Sequence, residues 1–149
     1  MAVGIRHARV GEQELILALY GWLFTEPGYV PSGWDPQRAS RALAEAIEAE
    51  GSAVLVGDDD GELVGLCTAY LEFESVRYGR RCWVEDLAVH PERRSGGWGG
   101  RLLDAAGDWA RERGATHIEL DTGLARADAQ RFYQRRDPDS VGYSYSWRL

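Results

Sequence analysis

A glycine-rich stretch between a strand-like run and a helix-like run restricts the folds open to this chain. Residues 90–103 read HPERRSGGWGGRLL and place four glycines around one tryptophan. Residues 81–90, RCWVEDLAVH, show the apolar pattern of a buried strand, and apolar residues recur with helical spacing over 99–114. Closely spaced glycines cost backbone entropy on folding, so they indicate positive φ angles or the close approach of a ligand.

The position of these glycines favours a phosphate as that ligand. The first N–H groups of a helix have no partner within the helix and the macrodipole is positive there, so an anion is stabilised. Two familiar nucleotide motifs are absent, because no G-x-x-x-x-G-K-[ST] occurs and G-x-G-x-x-G is broken by Leu102. The loop instead fits Arg94-x-x-Gly97-x-Gly99, preceded by VEDLAVHPE.

Helical patterns are expected in four places. Residues 11–24 carry Leu15, Leu19 and Trp22 at helical spacing. In the segment 35–51, Asp35 can cap a helix, Pro36 suits its first turn and Gly51 ends it. Its predicted apolar face contains Ala39, Leu43, Ala46 and Ile47. The helix over 99–114 is expected to bury Leu102, Leu103, Ala106, Trp109 and Ala110. A short helix is expected over 127–136.

The strand patterns complete a mixed α/β fold. Strands are expected over 4–10, 81–90, 116–122 and 142–149, and an Asp-Gly turn predicts a β-hairpin over 52–73. Most strands from the hairpin onward can lie side by side in one sheet. The 149 residues suffice for one core, so a single domain over 1–149 is expected.

Composition limits the kinds of partner that the chain can bind and indicates the compartment in which it is expected. Seventeen basic against 24 acidic residues give a net charge of −7, which disfavours nonspecific nucleic-acid binding and suits a cationic partner or simple solubility. Cys67 and Cys82 lie in apolar runs and are interpreted as reduced core residues. The three histidines are scattered, so no metal site is expected. No signal peptide or membrane-length apolar run is found, so a cytoplasmic location without membrane attachment is expected.

Three motifs together resemble the GNAT superfamily of acetyl-CoA-dependent N-acetyltransferases. The loop 94–99 matches the family's pyrophosphate loop, and 85–91 match the acidic-acidic-Leu-x-Val-x-Pro pattern of the preceding strand. Ala129-x-x-Phe132-Tyr133 matches a third motif on a short helix. The resemblance covers nearly the whole chain and implies a central, mostly antiparallel, twisted sheet flanked by helices.

The resemblance also implies how acetyl-CoA binds. Backbone N–H groups of a bulged strand would contact the acetyl carbonyl and the pantetheine arm, and by position they belong to Leu87, Ala88 and Val89. The pyrophosphate would lie on the loop, with Arg93 or Arg94 adding charge. The loop residues concerned are Ser95, Gly96, Gly97, Trp98, Gly99 and Gly100.

Three side chains stand where the family keeps its catalytic groups. Tyr133 matches the general acid near the CoA sulfur, and this match outweighs the core-aromatic role beside Phe132 that the residue by itself would favour. Glu85 matches a carboxylate that removes the amine proton, usually through water, and Asp86 is its rival because a bulge disturbs strand alternation. Either carboxylate could instead be a solvated charge or an ion-pair partner.

The acceptor site is expected between the segment after the first helix and the strands opposite CoA. Aromatic walls and carboxylates there would suit a cationic small amine, although an ordinary solvent-facing surface is an equal alternative. The candidates are Trp22, Tyr29, Trp34, Tyr70, Glu72 and Glu74. Short stretches are similar to polyamine, thialysine and aminoglycoside acetyltransferases. Acetylation of proteins or peptides, a non-catalytic acyl-CoA sensor and a homodimer paired through the terminal strand also remain open.

The chain departs from the family pattern at three places. Arg126 replaces an asparagine that often contacts CoA. Arg136-Asp137-Pro138 replaces Leu-Gly-Phe, so the end of the short helix must be built differently. Trp98 is large for its place in the loop.

Overall fold

Five strands follow one another across a single sheet in the order in which they occur in the chain. The computed structural model describes residues 3–149, and its strands are β1 (Val3–His7), β2 (Ser52–Asp59), β3 (Glu62–Ser75), β4 (Gly79–Val89) and β5 (His117–Glu119). The first four strands pair antiparallel, and β4 and β5 pair parallel. The expectation of a mostly antiparallel sheet is therefore confirmed.

The turn between β2 and β3 has the geometry that its sequence predicts. Asp60 and Gly61 both have positive φ angles, 56° and 93°. Two successive positive φ angles are typical of the turn that matches the twist of a two-residue hairpin. The Gly61 N–H also donates a 2.7 Å hydrogen bond to Asp58 Oδ1. The hairpin is the part of the sheet that local sequence specifies best.

Helices cover both faces of this sheet. They are α1 (Gln13–Leu17), α2 (Gly21–Phe24), α3 (Pro36–Glu48), α4 (Trp98–Glu112) and α5 (Ala127–Gln134). The Asp35 carboxylate accepts a 3.0 Å hydrogen bond from Gln37 N–H, so the predicted cap of α3 is confirmed. The helix ends at Glu48, three residues before the glycine expected to end it.

The first predicted helix differs from its expectation. Residues 11–24 form α1, a short 3₁₀ helix (Ala18–Tyr20) and α2 instead of one regular helix. The tighter 3₁₀ turn changes the direction of successive side chains. Ile16 is fully buried, whereas Leu15, predicted on the apolar face, is 63% exposed. The prediction for Leu15 is therefore wrong.

Two apolar clusters lie on opposite faces of the sheet. Alternate residues of β2 point to opposite faces, as strand geometry requires. Leu55 joins the cluster covered by α4, which includes Cys67, Cys82 and Leu102. Val56 joins the cluster covered by α1 and α3. Both cysteines are free and buried, so their interpretation as core thiols is confirmed.

The carboxyl-terminal strand is not formed. Residues 140–149 have no regular secondary structure, and β5 is confined to three residues of the predicted 116–122. The alternating aromatic residues Tyr143, Tyr145 and Trp147 are 75–85% exposed. Alternation alone does not make a strand, because a strand also needs a neighbour for its backbone N–H and C=O groups. No helix within residues 3–149 is long and apolar enough to cross a membrane.

Candidate active site

A β-bulge interrupts β4 at the acidic pair. Thr68 lies opposite Asp86 and Ala69 lies opposite Val84, so Glu85 has no partner in the ladder. A bulge of this kind bends its strand and redirects the side chains around it. Glu85 is exposed, and Asp86 is half-buried. Both neighbouring carboxylates can therefore reach the same side of the strand.

Each carboxylate is held by neutral donors. Asp86 Oδ2 accepts hydrogen bonds from the Tyr20 hydroxyl at 2.8 Å and the Thr68 hydroxyl at 2.6 Å. Glu85 Oε2 accepts one from Trp83 Nε1 at 2.7 Å. Burial, together with the charge of Asp86, raises the pKa of Tyr20 far above its ordinary value, so its hydroxyl remains a donor. Sequence reasoning missed Tyr20, because its contact with Asp86 joins positions 66 residues apart.

A cavity of about 340 Å³ opens beside these carboxylates. Tyr20 and Trp34 stack on one another with ring centroids 6.4 Å apart, and both line it. Its other lining residues are Leu17, Arg38, Ala39, Ala42, Leu43, Glu85 and Asp86. Of the six predicted acceptor residues, Trp34 lies here, beside both candidate bases.

The other predicted acceptor residues lie outside this cavity. Tyr70, Glu72 and Glu74 line a second cavity of about 670 Å³ near the far end of the β3–β4 hairpin. Glu72 is ion-paired there with Arg81. Trp22 packs edge-on against His90, with ring centroids 5.2 Å apart, and Tyr29 is 74% exposed. The six residues therefore do not form one site.

One edge of β4 is open beyond the bulge. Strand β5 pairs with Arg81, Cys82 and Trp83 only. On its other side, β4 pairs with β3 through Val84 and residues 86–89, and Leu87, Ala88 and Val89 lie opposite Cys67, Leu66 and Gly65. The bulge and the open edge leave backbone groups of this strand available to a ligand, and the contact of 87–89 with acetyl-CoA that the resemblance implies stays a prediction.

The glycine-rich loop forms the start of α4 with the backbone that its sequence predicts. Gly97 has a φ of 79° and is the residue before the helix. The Arg101 N–H bonds back to Gly97 O at 3.1 Å, so the N–H groups of Trp98, Gly99 and Gly100 have no acceptor within the helix. Gly96 differs from its neighbours, because its N–H already donates to Arg93 O at 3.1 Å.

The two arginines beside the loop, Arg93 and Arg94, have different partners. Arg93 pairs with Asp59 and Glu62 of the β2–β3 hairpin, which neutralises its charge. Arg94 donates to Val89 O at 3.3 Å, and within the described chain no carboxylate forms an ion pair with it. Arg94, rather than Arg93, therefore has a charge available to an anion.

Sequence reasoning missed a third cation at this loop. A Cβ built on Gly100 would lie 3.1 Å from Arg136 Nη1, which shows how closely the guanidinium approaches the first turn of α4. Arg136 also pairs with Asp104. The same departure from the family pattern that alters the end of α5 thus brings a guanidinium, paired with Asp104, close to the open N–H groups.

The side chain of Trp98 belongs to the interior and not to the loop surface. It is 6% exposed, and a Cβ on Gly57 would lie 2.8 Å from its ring. The Arg101 guanidinium covers the ring at 4.1 Å from its centroid. Its predicted contact with a ligand is therefore limited to the backbone N–H, and its bulk is accommodated by a glycine of β2.

Helix α5 brings Tyr133 to the same region. Its neighbour Phe132 lies against the loop, 3.5 Å from a Cβ built on Gly99. Burial raises the pKa of Tyr133 to about 12. Its hydroxyl makes no hydrogen bond to any residue that the structure describes, so it can donate to a ligand. Arg126, just before α5, donates to Leu23 O at 2.9 Å and ties this helix to α2.

Comparison with known proteins agrees with this geometry. The model of the acetyltransferase (GNAT) family matches residues 16–137. An uncharacterised N-acetyltransferase of Bacillus subtilis, YhfO, is 32% identical over 133 residues, covering 89% of this chain and 87% of the relative. The aminoalkylphosphonate N-acetyltransferase of Salmonella typhimurium is 36% identical over 76 residues, covering 51% of this chain and 49% of that protein.

A solved structure shows the same fold. The aminoglycoside N-acetyltransferase AAC(6')-Iy in complex with CoA superposes with a TM-score of 0.83 at 19% identity, covering 99% of this chain and 95% of the other. The strand order and the glycine-rich loop before α4 therefore occur in a chain whose sequence matches one family over most of its length. The chain belongs to the GNAT family of N-acetyltransferases.

Proposed function

We propose that the protein transfers the acetyl group of acetyl-CoA to the primary amine of a small, cationic acceptor, by direct attack of the amine on the thioester. The observation that carries this proposal is the bulge of β4, which brings Glu85 and Asp86 to an aromatic-lined cavity beside the open edge of the same strand. The small-molecule relatives add support, since one acts on aminoalkylphosphonates and another on aminoglycosides.

The donor would bind through backbone groups. The open N–H groups of Trp98, Gly99 and Gly100 would hold the pyrophosphate, with those of Ser95 and Gly97 nearby and Arg94 adding charge. The N–H groups of 87–89 would hold the pantetheine arm and the acetyl carbonyl. These donors fit a phosphate-bearing thioester, and the CoA complex of the aminoglycoside enzyme supports the choice. CoA supplies the acetyl group in activated form.

Two carboxylates would have different roles toward the amine. An amine in water is mostly protonated at neutral pH, so a proton must leave before it can attack. Glu85 is exposed and has a single donor, so it can pass that proton to solvent. Asp86 is held by two hydroxyl groups, so it suits the fixed positioning of the ammonium group. We therefore assign the base to Glu85 and the positioning of the amine to Asp86.

Tyr133 would act as the general acid. Departure of the CoA thiolate requires a proton, and a protonated phenol with no protein acceptor is a suitable donor. The raised pKa keeps this phenol protonated throughout the neutral range. Its position on α5, next to Phe132, whose ring lies against the glycine-rich loop, supports this role.

Release of free thiol from acetyl-CoA against a panel of acceptors tests the proposed function. The panel contains polyamines, aminoglycosides, amino acids, peptides with free N-termini and intact protein, and calorimetry measures acetyl-CoA binding in parallel. We expect turnover with at least one small amine and a large loss of it in Glu85→Gln. Acetylation of peptides or protein alone would favour the protein-modifying alternative. Tight acetyl-CoA binding without any turnover would favour a sensor.

We also propose a single domain over 1–149 that forms a homodimer in the cytoplasm. The exposed alternating residues of 141–149 support a second chain as their partner, because apolar side chains in a row favour burial. The free, buried thiols of Cys67 and Cys82 support a reducing compartment. The net charge of −7 supports partners other than nucleic acid. Light scattering of the protein and of Tyr145→Ser/Trp147→Ser tests the dimer, and we expect the double variant to be monomeric.

A further inference from the structure

The cavity beside the bulge contains charges of both signs. Arg38, from the first turn of α3, lines it together with Glu85 and Asp86. Both carboxylates accept hydrogen bonds from neutral donors, and neither is ion-paired with Arg38. Within residues 3–149, no side chain or carbonyl group accepts a hydrogen bond from the Arg38 guanidinium. The cavity therefore offers a cationic group and anionic groups that do not neutralise one another.

The face that α3 presents to this cavity carries small side chains beside Arg38. Arg38 and Ala42 are four residues apart, as are Ala39 and Leu43, so all four lie on one side of the helix. Two of these four side chains are methyl groups, which do not fill the space next to the guanidinium. The stacked rings of Tyr20 and Trp34 provide an apolar wall along the same space.

We propose that the acceptor is a zwitterion, an amino acid whose amine lies at Glu85 and Asp86 and whose carboxylate is bound by Arg38. This inference rests on the proposed function and specifies the acceptor further: its reacting amine is the cationic group, and the same molecule also carries a carboxylate. A guanidinium can bind a carboxylate through two parallel hydrogen bonds, which fixes orientation as well as adding affinity. Arg38 is thus a specificity-determining residue. The hydrocarbon part of the acceptor lies along Tyr20 and Trp34.

The guanidinium in the cavity supports a zwitterion over a polyamine. A polyamine could place ammonium groups at both carboxylates, but it would leave the Arg38 guanidinium without an anion and close to further positive charge, and like charges at close range repel. An amino acid satisfies the carboxylates with its ammonium group and the guanidinium with its carboxylate.

Matched acceptors and matched variants test this inference. Phenylalanine and phenylalaninamide have nearly the same shape, and only the first has a carboxylate; leucine and leucinamide provide a second pair. Arg41 is the control residue, because it is exposed on the same helix, as Arg38 is, but does not line the cavity. The variants are Arg38→Gln and Arg41→Gln, with kcat/KM measured for every acceptor and acetyl-CoA binding measured by calorimetry.

We expect the wild-type protein to prefer each acid over its amide by about tenfold or more, the range of hydrogen bonds to charged groups. Arg38→Gln removes this preference by lowering kcat/KM for the acids alone, and it does not change the affinity for acetyl-CoA. Arg41→Gln keeps the wild-type kcat/KM for every acceptor. Equal use of acids and amides by the wild-type protein, or an equal loss for both in Arg38→Gln, overturns the inference and leaves the proposed function intact. If no amine is turned over and neither acid binds the acetyl-CoA complex in calorimetry, the inference and the proposed function both fail.

Discussion

The Tyr20 hydroxyl donates a 2.8 Å hydrogen bond to Asp86 Oδ2 and thereby joins the first helical segment to the bulged strand. The Thr68 hydroxyl donates to the same oxygen at 2.6 Å. A carboxylate held from two directions cannot rotate freely, so one wall of the cavity is fixed before any ligand binds. The positioning of Asp86 therefore depends on residues from two different elements.

Removal of the Tyr20 hydroxyl should weaken both folding and acceptor binding. Tyr20→Phe takes one donor from a half-buried carboxylate, which costs about 1–3 kcal/mol of the free energy of unfolding. We expect a higher KM for the acceptor and an unchanged Kd for acetyl-CoA, measured by steady-state kinetics and calorimetry. Tyr29→Phe is the control, because Tyr29 is 74% exposed. An unchanged acceptor KM in Tyr20→Phe would show that Asp86 is not part of the acceptor site.

Loss of the Tyr133 hydroxyl should affect the chemical step alone. Tyr133→Phe keeps the ring in place and removes the proton donor, so kcat should fall by about 100-fold or more while acetyl-CoA binding persists. The exposed Tyr143 provides the control variant Tyr143→Phe. Because burial raises the pKa of Tyr133 to about 12, this group should not lower kcat as the pH rises to about 10, where exposed tyrosines ionise. A full kcat in Tyr133→Phe would make this residue a packing residue only.

Two adjacent arginines should respond differently to truncation. Arg93 is paired with the hairpin carboxylates of Asp59 and Glu62, and Arg94 forms no ion pair with any residue the structure describes. Arg94→Ala should therefore raise the Kd of acetyl-CoA by about tenfold, the range of hydrogen bonds to charged groups. Arg93→Ala should change that Kd much less. The reverse order in calorimetry would contradict the assignment of Arg94 to the phosphate.

The acid stability of the fold should depend on a partly buried ion-pair cluster of Arg6, Glu12 and Asp58. Arg6 donates to Asp58 at 2.9 Å and to Glu12 at 2.9 Å, and it holds the pKa of each carboxyl below its ordinary value. A carboxyl group whose pKa is lowered by folding stabilises the folded state at pH values above its unfolded-state pKa, which is about 4. This stabilisation is lost as the pH falls through the folded-state pKa. The free energy of unfolding should therefore fall below about pH 4.

Denaturant titrations across the acid range check this cluster. Asp58→Asn should make the decrease of the free energy of unfolding with falling pH shallower, because one of the linked carboxyl groups is gone. Asp60→Asn is the control, since Asp60 is exposed in the turn, where asparagine tolerates a positive φ. An equally steep decrease in Asp58→Asn and the wild-type protein would show that the cluster does not govern acid unfolding.

Local signals explain the parts of the fold that sequence reasoning predicted. The cap at Asp35, the turn at Asp60 and Gly61, and the positive φ at Gly97 each depend on a few neighbouring residues. The buried face of α4 follows from helical spacing alone, and Leu102, Ala106 and Trp109 are buried as predicted. These features need no knowledge of distant parts of the chain.

Contacts between distant segments explain the rest. Helical spacing favoured Leu15, but a 3₁₀ turn over 18–20 interrupts the segment and Ile16 is the buried residue. The alternation over 142–149 is that of a strand, yet nothing in the local sequence supplies a neighbouring strand. Tyr20 and Arg38 reach the cavity only because α1, α3 and β4 come together in the folded chain, so neither residue stood out in the sequence.

Binding of acetyl-CoA to variants of Gly97 tests most directly whether the glycine-rich loop holds the acetyl donor. Gly97 has a φ of 79°, which asparagine tolerates, whereas glutamate adds strain and a negative charge at the phosphate. In calorimetry, we expect Gly97→Asn to bind within a few-fold of the wild-type protein. Gly97→Glu should bind about 100-fold more weakly or not at all, because like charges repel. Circular dichroism checks that both variants fold. Equal affinity of the folded Gly97→Glu and Gly97→Asn proteins for acetyl-CoA would contradict the account.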